Sequence, residues 1–403
     1  MLRFDKMNCD ELNPEILSVK FKFEKLFGNS KPPHFIIAPA SLIILGDHTH
    51  YNDGILISTA LNKYTTVVIR KREDQLINIF DCNLNLSVNF SLNEINAQNS
   101  NLLKQIIGLI KILHEKNYIN IGFDCLVYSD VPECLGLGRL VSYDVSFASA
   151  INKTFNLKLD NSELAKLIFE NELNYIGKIS NIAHIYTSFY EKENRFMNID
   201  LRTLQYKTFD MFKNNIELII INTKEKIDGI ENICKERIEE CEIGTKGLRL
   251  YIWGIKNLRD VEQEFLLRHY HMLPKRIFDR VLFNVNERIR TEKALKLIKS
   301  SKMEEFGKIL IESHWSLAYD YQLSSDKLNY LVETASNIKG VFGSKMICCS
   351  PYRSTFTLVK RESTKIFLNT IRKKYNEKYN ADLETFVFKP TEGVMEIPAK
   401  SIN

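Results

Sequence analysis

The segment Phe35–Leu45, FIIAPASLIIL, constrains the fold most strongly. It is apolar along nearly its whole length and no longer than a strand, so it reads as a strand buried in a sheet. Beyond it, strand and helix signals alternate. Thr65–Arg72 alternates like a half-exposed strand, and Asn101–Asn117 is an amphipathic helix with Leu103, Ile106, Ile107, Ile110 and Leu113 on one side. Ile121–Pro132 reads as a strand ending in a turn, and Leu140–Asn152 as a helix. Asp160, Asn161 and Ser162 are N-cap candidates for a helix over Glu163–Tyr175. A strand at Asn215–Asn222 opens the second half. Helices come next at Val285–Ser300, Met303–Leu317 and Ser325–Asn337, then strands at Ser354–Lys360 and Thr385–Phe388. The mixture predicts an α+β chain of two lobes, residues 1–210 and 211–403.

Charge and composition exclude several classes. Fifty-five basic against 50 acidic residues leave a net charge of +5, too small and dispersed to indicate nucleic acid or a membrane surface. No apolar run approaches the ~18–20 residues of a membrane-spanning helix; the longest, Ile216–Ile221, is strand length. The opening MLRFDKMNCDEL has no apolar signal-peptide core. Eight cysteines (Cys9, Cys82, Cys125, Cys134, Cys234, Cys241, Cys348, Cys349) show no CxxC pair and no zinc spacing, as expected of reduced thiols in a cytoplasmic protein.

Three segments carry chemistry: Ala38–Gly54 (APASLIILGDHTHYNDG), Ser129–Asn152 (SDVPECLGLGRLVSYDVSFASAIN) and Gly343–Val359 (GSKMICCSPYRSTFTLV). Together they resemble the signature, the phosphate loop with its helix, and the C-terminal glycine-rich loop of the galactokinases, members of the GHMP small-molecule kinase family. Glu170–Tyr186, Asn198–Tyr206, Asn286–Ala335 and Phe386–Val394 also read like the family, so the resemblance is collinear over nearly the whole chain. It implies the GHMP kinase two-lobe fold, with an N-terminal lobe like ribosomal protein S5 and a ferredoxin-like C-terminal lobe.

Function must be argued from the site rather than the fold. Phosphoryl transfer needs backbone N–H groups around the phosphates, a hydroxyl and a carboxylate on Mg²⁺, a cation on the transferring group and a carboxylate at the attacking hydroxyl. The family's phosphate loop, roughly Gly-Gly-Gly-Leu-Ser-Ser-Ser, is here Cys134, Leu135, Gly136, Leu137, Gly138, Arg139, Leu140. Leu140 stands at the metal-binding hydroxyl and Asp144 at the metal-holding Glu, where it can still meet a cation. Arg139 either grips an anion or fills or salt-bridges across a dead pocket. The C-terminal loop, rich in glycine in the family, is Ile347–Ser354, with Pro351 inside it. The vicinal Cys348–Cys349 pair reads as buried reduced thiols. Ser41 replaces the family's transition-state Arg, and His184 its catalytic Asp.

In the sugar pocket the resemblance places Asp47 for Glu, the retained His48, His50 for Asp, Asn181 for Gly and Cys234 for Tyr. Tyr51, Asn52, Asp53 and Gly54 survive, either as strong turn chemistry or as part of a retained small-molecule pocket. These substitutions predict a galactokinase-like protein that has lost kinase chemistry, with no cofactor, acting as a ligand-binding, regulatory or scaffold protein for a small molecule or protein partner. The alternatives are a divergent sugar kinase using ATP and Mg²⁺, or a new activity built on His48, His50, His184 and Asp47. No metal is expected, His48, His50 and His184 being the one candidate set. Arg139 or other side chains are expected to fill the space between His50 and His184.

Overall fold

The computed structural model describes residues 14–98, 103–177, 181–211 and 216–398. The opening segment with Cys9, and positions 101, 102, 178–180 and 215 of the segments above, lie outside them. Helix α1 (Pro14–Phe27) leads into β1 (His34–Leu45), β2 (Ile55–Lys71), the hairpin β3 (Leu76–Asp81) and β4 (Leu86–Ser91), and α2 (Lys104–Glu115). Then come β5 (Phe123–Ser129), α3 (Arg139–Phe155), α4 (Asn161–Asn171), α5 (Ile182–Tyr190), β6 (Arg195–Asp200) and β7 (Gln205–Asp210). The rest is β8 (Ile216–Lys226), α6 (Ile230–Leu248), α7 (Gln263–Arg268), α8 (Lys275–Lys299), α9 (Met303–Tyr319), α10 (Asp326–Ser336), β9 (Val341–Met346), β10 (Tyr352–Lys360), α11 (Thr364–Tyr379), β11 (Glu384–Phe388) and β12 (Met395–Ile397).

The first sheet runs β12-β1-β2-β5-β3-β4, with β6 and β7 continuing from β2; the second runs β11-β8-β10-β9. All pairings are antiparallel except β3 with β5. Pro39 sits in the middle of β1, where it has no N–H to give, and the β1–β2 register slips between Pro39 and Ala40. Asp160 caps α4 through a reciprocal capping box with Glu163.

Position along one face of β1 decides which layer it meets. Ile36 and Ala38 face α2 and α3 in one core. Ala40, Leu42 and Ile44 join Leu218 and Ile220 of β8 and Phe306 of α9 in another. The two sheets therefore share a core at β1, and β1 ends where both meet. Among the described residues no helix is long and apolar enough to cross a membrane.

His314 of α9 is fully buried, with Nδ1 accepting the Met346 N–H (3.3 Å) and Nε2 against Asn329 Oδ1 (3.2 Å). Burial pushes its pKa down to about 3. A depressed folded-state pKa stabilises fully above the unfolded value of about 6.5 and progressively less as pH falls towards 3. The stability of the protein relative to His314→Gln is therefore expected to shrink by about 2–3 kcal/mol between pH 6.5 and 4.5. Urea denaturation at the two pH values checks this, and parallel pH profiles for protein and variant would refute it.

Candidate functional site

The site begins where β1 turns into β2. His48 (φ 59°) and Asp53 (φ 56°) occupy the left-handed region, and a Cβ on Gly54 would lie 2.0 Å from Thr49 Oγ1, so only glycine fits there. The retained residues tie this turn to the surrounding helices. Tyr51 Oη meets Tyr321 Oη, Asn52 Nδ2 donates to Asn284 Oδ1 of α8 (3.2 Å), and Asp53 Oδ2 accepts from Arg202 Nε (3.3 Å) and from Asn257. These contacts fasten the turn to distant parts of the chain.

Asp47 forms a buried ion pair with the fully buried Lys345 of β9. Beside them Glu287 of α8, also fully buried, accepts from the Gly46 N–H (3.0 Å), Ser313 Oγ (2.9 Å) and Arg290 Nε (2.8 Å). Burial works against charge on Lys345, but Asp47, Cys348 and Glu287 together hold its pKa above the usual lysine value. Burial pushes the Asp47 carboxyl up and Lys345 pulls it back. Asp47 is thus engaged within the protein. The sequence reading missed Lys345 and Glu287. The only signals were a lysine in a short strand between the apolar ends Val341 and Met346, and Glu287 one helical turn before Arg290.

Ser41 Oγ and His184 Nδ1 are hydrogen-bonded at 2.8 Å. These are the positions where the resemblance places a cation and a carboxylate, and both groups here are uncharged. Gly138 (φ +62°) presses on the pair, since an added Cβ would lie 2.5 Å from Ser41 Oγ and 3.0 Å from His184 Nδ1. Burial lowers the His184 pKa to about 4; burial and His184 lower that of His50 to about 4. Both rings are neutral at pH 7. The His50 Nδ1 is buried and has no hydrogen-bond partner among the described residues. Asn181, expected in the sugar pocket, caps α5, its side chain accepting from the Ala183 N–H (3.1 Å). Of the alternatives for Arg139, the structure shows a salt bridge: its guanidinium pairs with Glu133 and lies over the Tyr143 ring, 5.8 Å from its centroid.

The expected nucleotide loops are fastened to each other. Leu135 and Leu137 are buried in the core shared by the two sheets. Ser350 Oγ and the Tyr352 N–H (3.2 Å) both donate to the Cys134 carbonyl. A Cβ on Gly136 (φ +72°) would lie 2.8 Å from Ile347 Cγ2. Leu140 is exposed, and its side chain has no oxygen to offer a cation. Asp144, expected to remain available to a cation, is buried with Oδ1 unpartnered among the described residues; burial and Glu172 hold its carboxyl well above the usual range. Leu140 and Asp144 stand where the resemblance places the hydroxyl and the carboxylate that hold Mg²⁺.

Histidines alone do not converge, the His48 and His50 ring centroids being 6.3 Å apart. The structure instead brings His48 together with Cys234 of α6 and Cys349 of the β9–β10 loop, their ligand atoms all within 4.8 Å. Cys234 and Cys349 are 115 residues apart in sequence, so motif spacing had no means of pairing them.

Comparison with known proteins places this geometry in a lineage. Residues 22–71 match the galactokinase galactose-binding signature, and residues 101–192 the GHMP kinases N terminal domain. The chain is 30% identical to the galactokinase of Clostridium tetani over 91% of its own length and 93% of that protein. Against the galactokinase of a Roseiflexus species it is 27% identical over 90% of this chain and 93% of the other. The crystal structure of Lactococcus lactis galactokinase complexed with galactose superposes with a TM-score of 0.89 at 24% identity, covering 95% of this chain and all of that one. With a relative at 30% identity along nearly the whole of both chains, and the α+β two-sheet architecture in common, this protein belongs to the galactokinase family of GHMP kinases.

Proposed function

We propose that this member of the family does not transfer phosphate from ATP to galactose, and acts by holding a small ligand in the pocket around His48, His50 and His184. The observation that carries this reading is the hydrogen bond between Ser41 and His184, closed over by Gly138. Charge that develops during phosphoryl transfer needs an opposing charge set in place beforehand. Two neutral side chains bonded to each other supply none. The buried Asp144, its carboxyl held well above the usual range by burial and Glu172, and the tied loops support the same reading on the nucleotide side. On the ligand side, the orphaned Nδ1 of His50 is a polar atom suited to a ligand hydroxyl.

A second reading, a divergent kinase for galactose or a related sugar, is supported by the names of the relatives, which match over about nine-tenths of their length. Those names favour phosphorylation; the side chains at Ser41, Leu140, Asp144 and His184 favour its loss. We give the side chains more weight, because relatives share a fold while activity resides in the site. Calorimetry with galactose and with Mg·ATP separates the two, alongside an assay for ADP release. The first reading expects no saturable Mg·ATP binding at millimolar concentration and no ADP release. Micromolar ATP binding with sugar-dependent turnover would establish the second.

A further inference from the structure

We propose that His48, Cys234 and Cys349 form a binding site for a soft divalent cation, with zinc the ion that fits best. The geometry comes first. Cys234 Sγ and Cys349 Sγ are 3.2 Å apart, and Cys349 Sγ is 3.6 Å from His48 Nε2. A disulfide needs about 2.05 Å, so the sulfurs are two thiols in contact. A tetrahedral zinc ion, about 2.3 Å from sulfur and 2.0–2.1 Å from nitrogen, holds its ligands roughly 3.4–3.8 Å from one another. The three atoms need only small movements to reach that arrangement. Two sulfurs and an imidazole select zinc over magnesium or calcium, which take oxygen. Two cysteines and one histidine also leave the fourth position of a tetrahedron open.

A second observation concerns what stands behind the histidine. His48 Nδ1 lies 3.3 Å from Tyr51 Oη, which meets Tyr321 Oη, which lies 3.3 Å from Cys241 Sγ. With Tyr51 donating to Tyr321, its oxygen accepts the Nδ1–H of His48, and Nε2 keeps its lone pair towards Cys349. This is the arrangement by which metal-binding histidines are fixed in tautomer and direction. The backbone adds a third observation. His48 (φ 59°) and Cys349 (φ 54°) both occupy the left-handed region, which is unfavourable for such residues. Each is held in that conformation with its side chain aimed at the other.

Binding forms two Zn–S bonds and one Zn–N bond and releases the two thiol protons to solvent, with no change of oxidation state. The site is independent of whether the protein phosphorylates a sugar. It adds Cys349, read from sequence with Cys348 as a buried reduced thiol.

The test is zinc titration of the reduced, metal-stripped full-length protein against a chromophoric chelator, with Co²⁺ as a spectroscopic substitute. One equivalent of zinc should bind, and Co²⁺ should give a thiolate charge-transfer band. Cys234→Ser and Cys349→Ser should each weaken binding by more than about 100-fold, beyond the 10–100-fold typical of losing an outer partner. Tyr51→Phe should weaken it about tenfold, and Cys82→Ser should leave it unchanged. Independently of any variant's folding, zinc should protect Cys234 and Cys349 of the unaltered protein from alkylation, read by mass spectrometry. Absence of saturable binding, binding unchanged in both cysteine variants, or a Cys234–Cys349 disulfide that persists under reducing conditions would each overturn the proposal.

Discussion

Installing Ser41→Arg together with His184→Asp is expected to leave galactose phosphorylation at background, at least about 10⁴-fold below a working relative. Restoring the pair does not restore the rest, because members of a catalytic unit act non-additively. Each group that acts on transition-state charge is worth roughly 10²–10³ in rate, and the variant still lacks two, the metal-binding hydroxyl at Leu140 and the glycine-lined phosphate cradle. The structure adds a steric reason. Gly138 already packs within contact of Ser41, and even a Cβ at 138 would lie 2.5 Å from Ser41 Oγ. A guanidinium at position 41 has to displace the loop, whose leucines are buried in the core. The measurement is ADP release with galactose and Mg·ATP, beside the unaltered protein. Turnover by the double variant would show that the loops hold nucleotide in a form unlike the family's.

Lys345→Met is expected to destabilise the protein by about 3–5 kcal/mol, the usual penalty for removing one member of a buried ion pair. Without the ammonium, Asp47 and Glu287 face each other in a dry site, and the first must take up a proton. Adding Asp47→Asn removes that unpaired charge, so the double variant should recover most of the loss. Urea unfolding of the two single variants and the double variant forms the cycle. Additive losses would mean that the two groups do not interact as the geometry implies.

The elements legible in the sequence were those with strong periodicity. β1, α2 and α9 emerge within a residue or two to a turn of the expected ends, because their apolar residues repeat at strand or helix period over a full element. β2 is longer than read, since Asn62 and Lys63 interrupt its apolar run while the backbone pairing continues to Ile57 against β1 and to Ile55 against β6. The β3–β4 hairpin, α6 and α11 were not read at all. They are half-exposed, and their polar faces dilute the pattern; eight of the 16 residues of α11, for example, are Lys, Arg, Glu or Asn. At the site, the collinear resemblance supplied Ser41, Asp47, His48, His50 and His184. It gave no view of Lys345, Glu287 or the Cys234–Cys349 contact, because each depends on side chains from elements far apart in the chain. Two substitutions read as pocket chemistry, Asn181 and Arg139, have local roles, and only their side-chain contacts reveal them.

The pairing of β12 with β1 fixes an order of events during synthesis. Phe35, Ile36 and Ile37 take their outer partners from Ile397, Glu396 and Met395 of β12, which follows every other element named above in the sequence. Until the ribosome has delivered that segment, the buried strand that carries the site has one row of backbone N–H and C=O groups with no strand beside it. Such an edge is a template for other chains. The nascent first lobe therefore emerges with the start of β1 uncovered on one side, and β12 closes it.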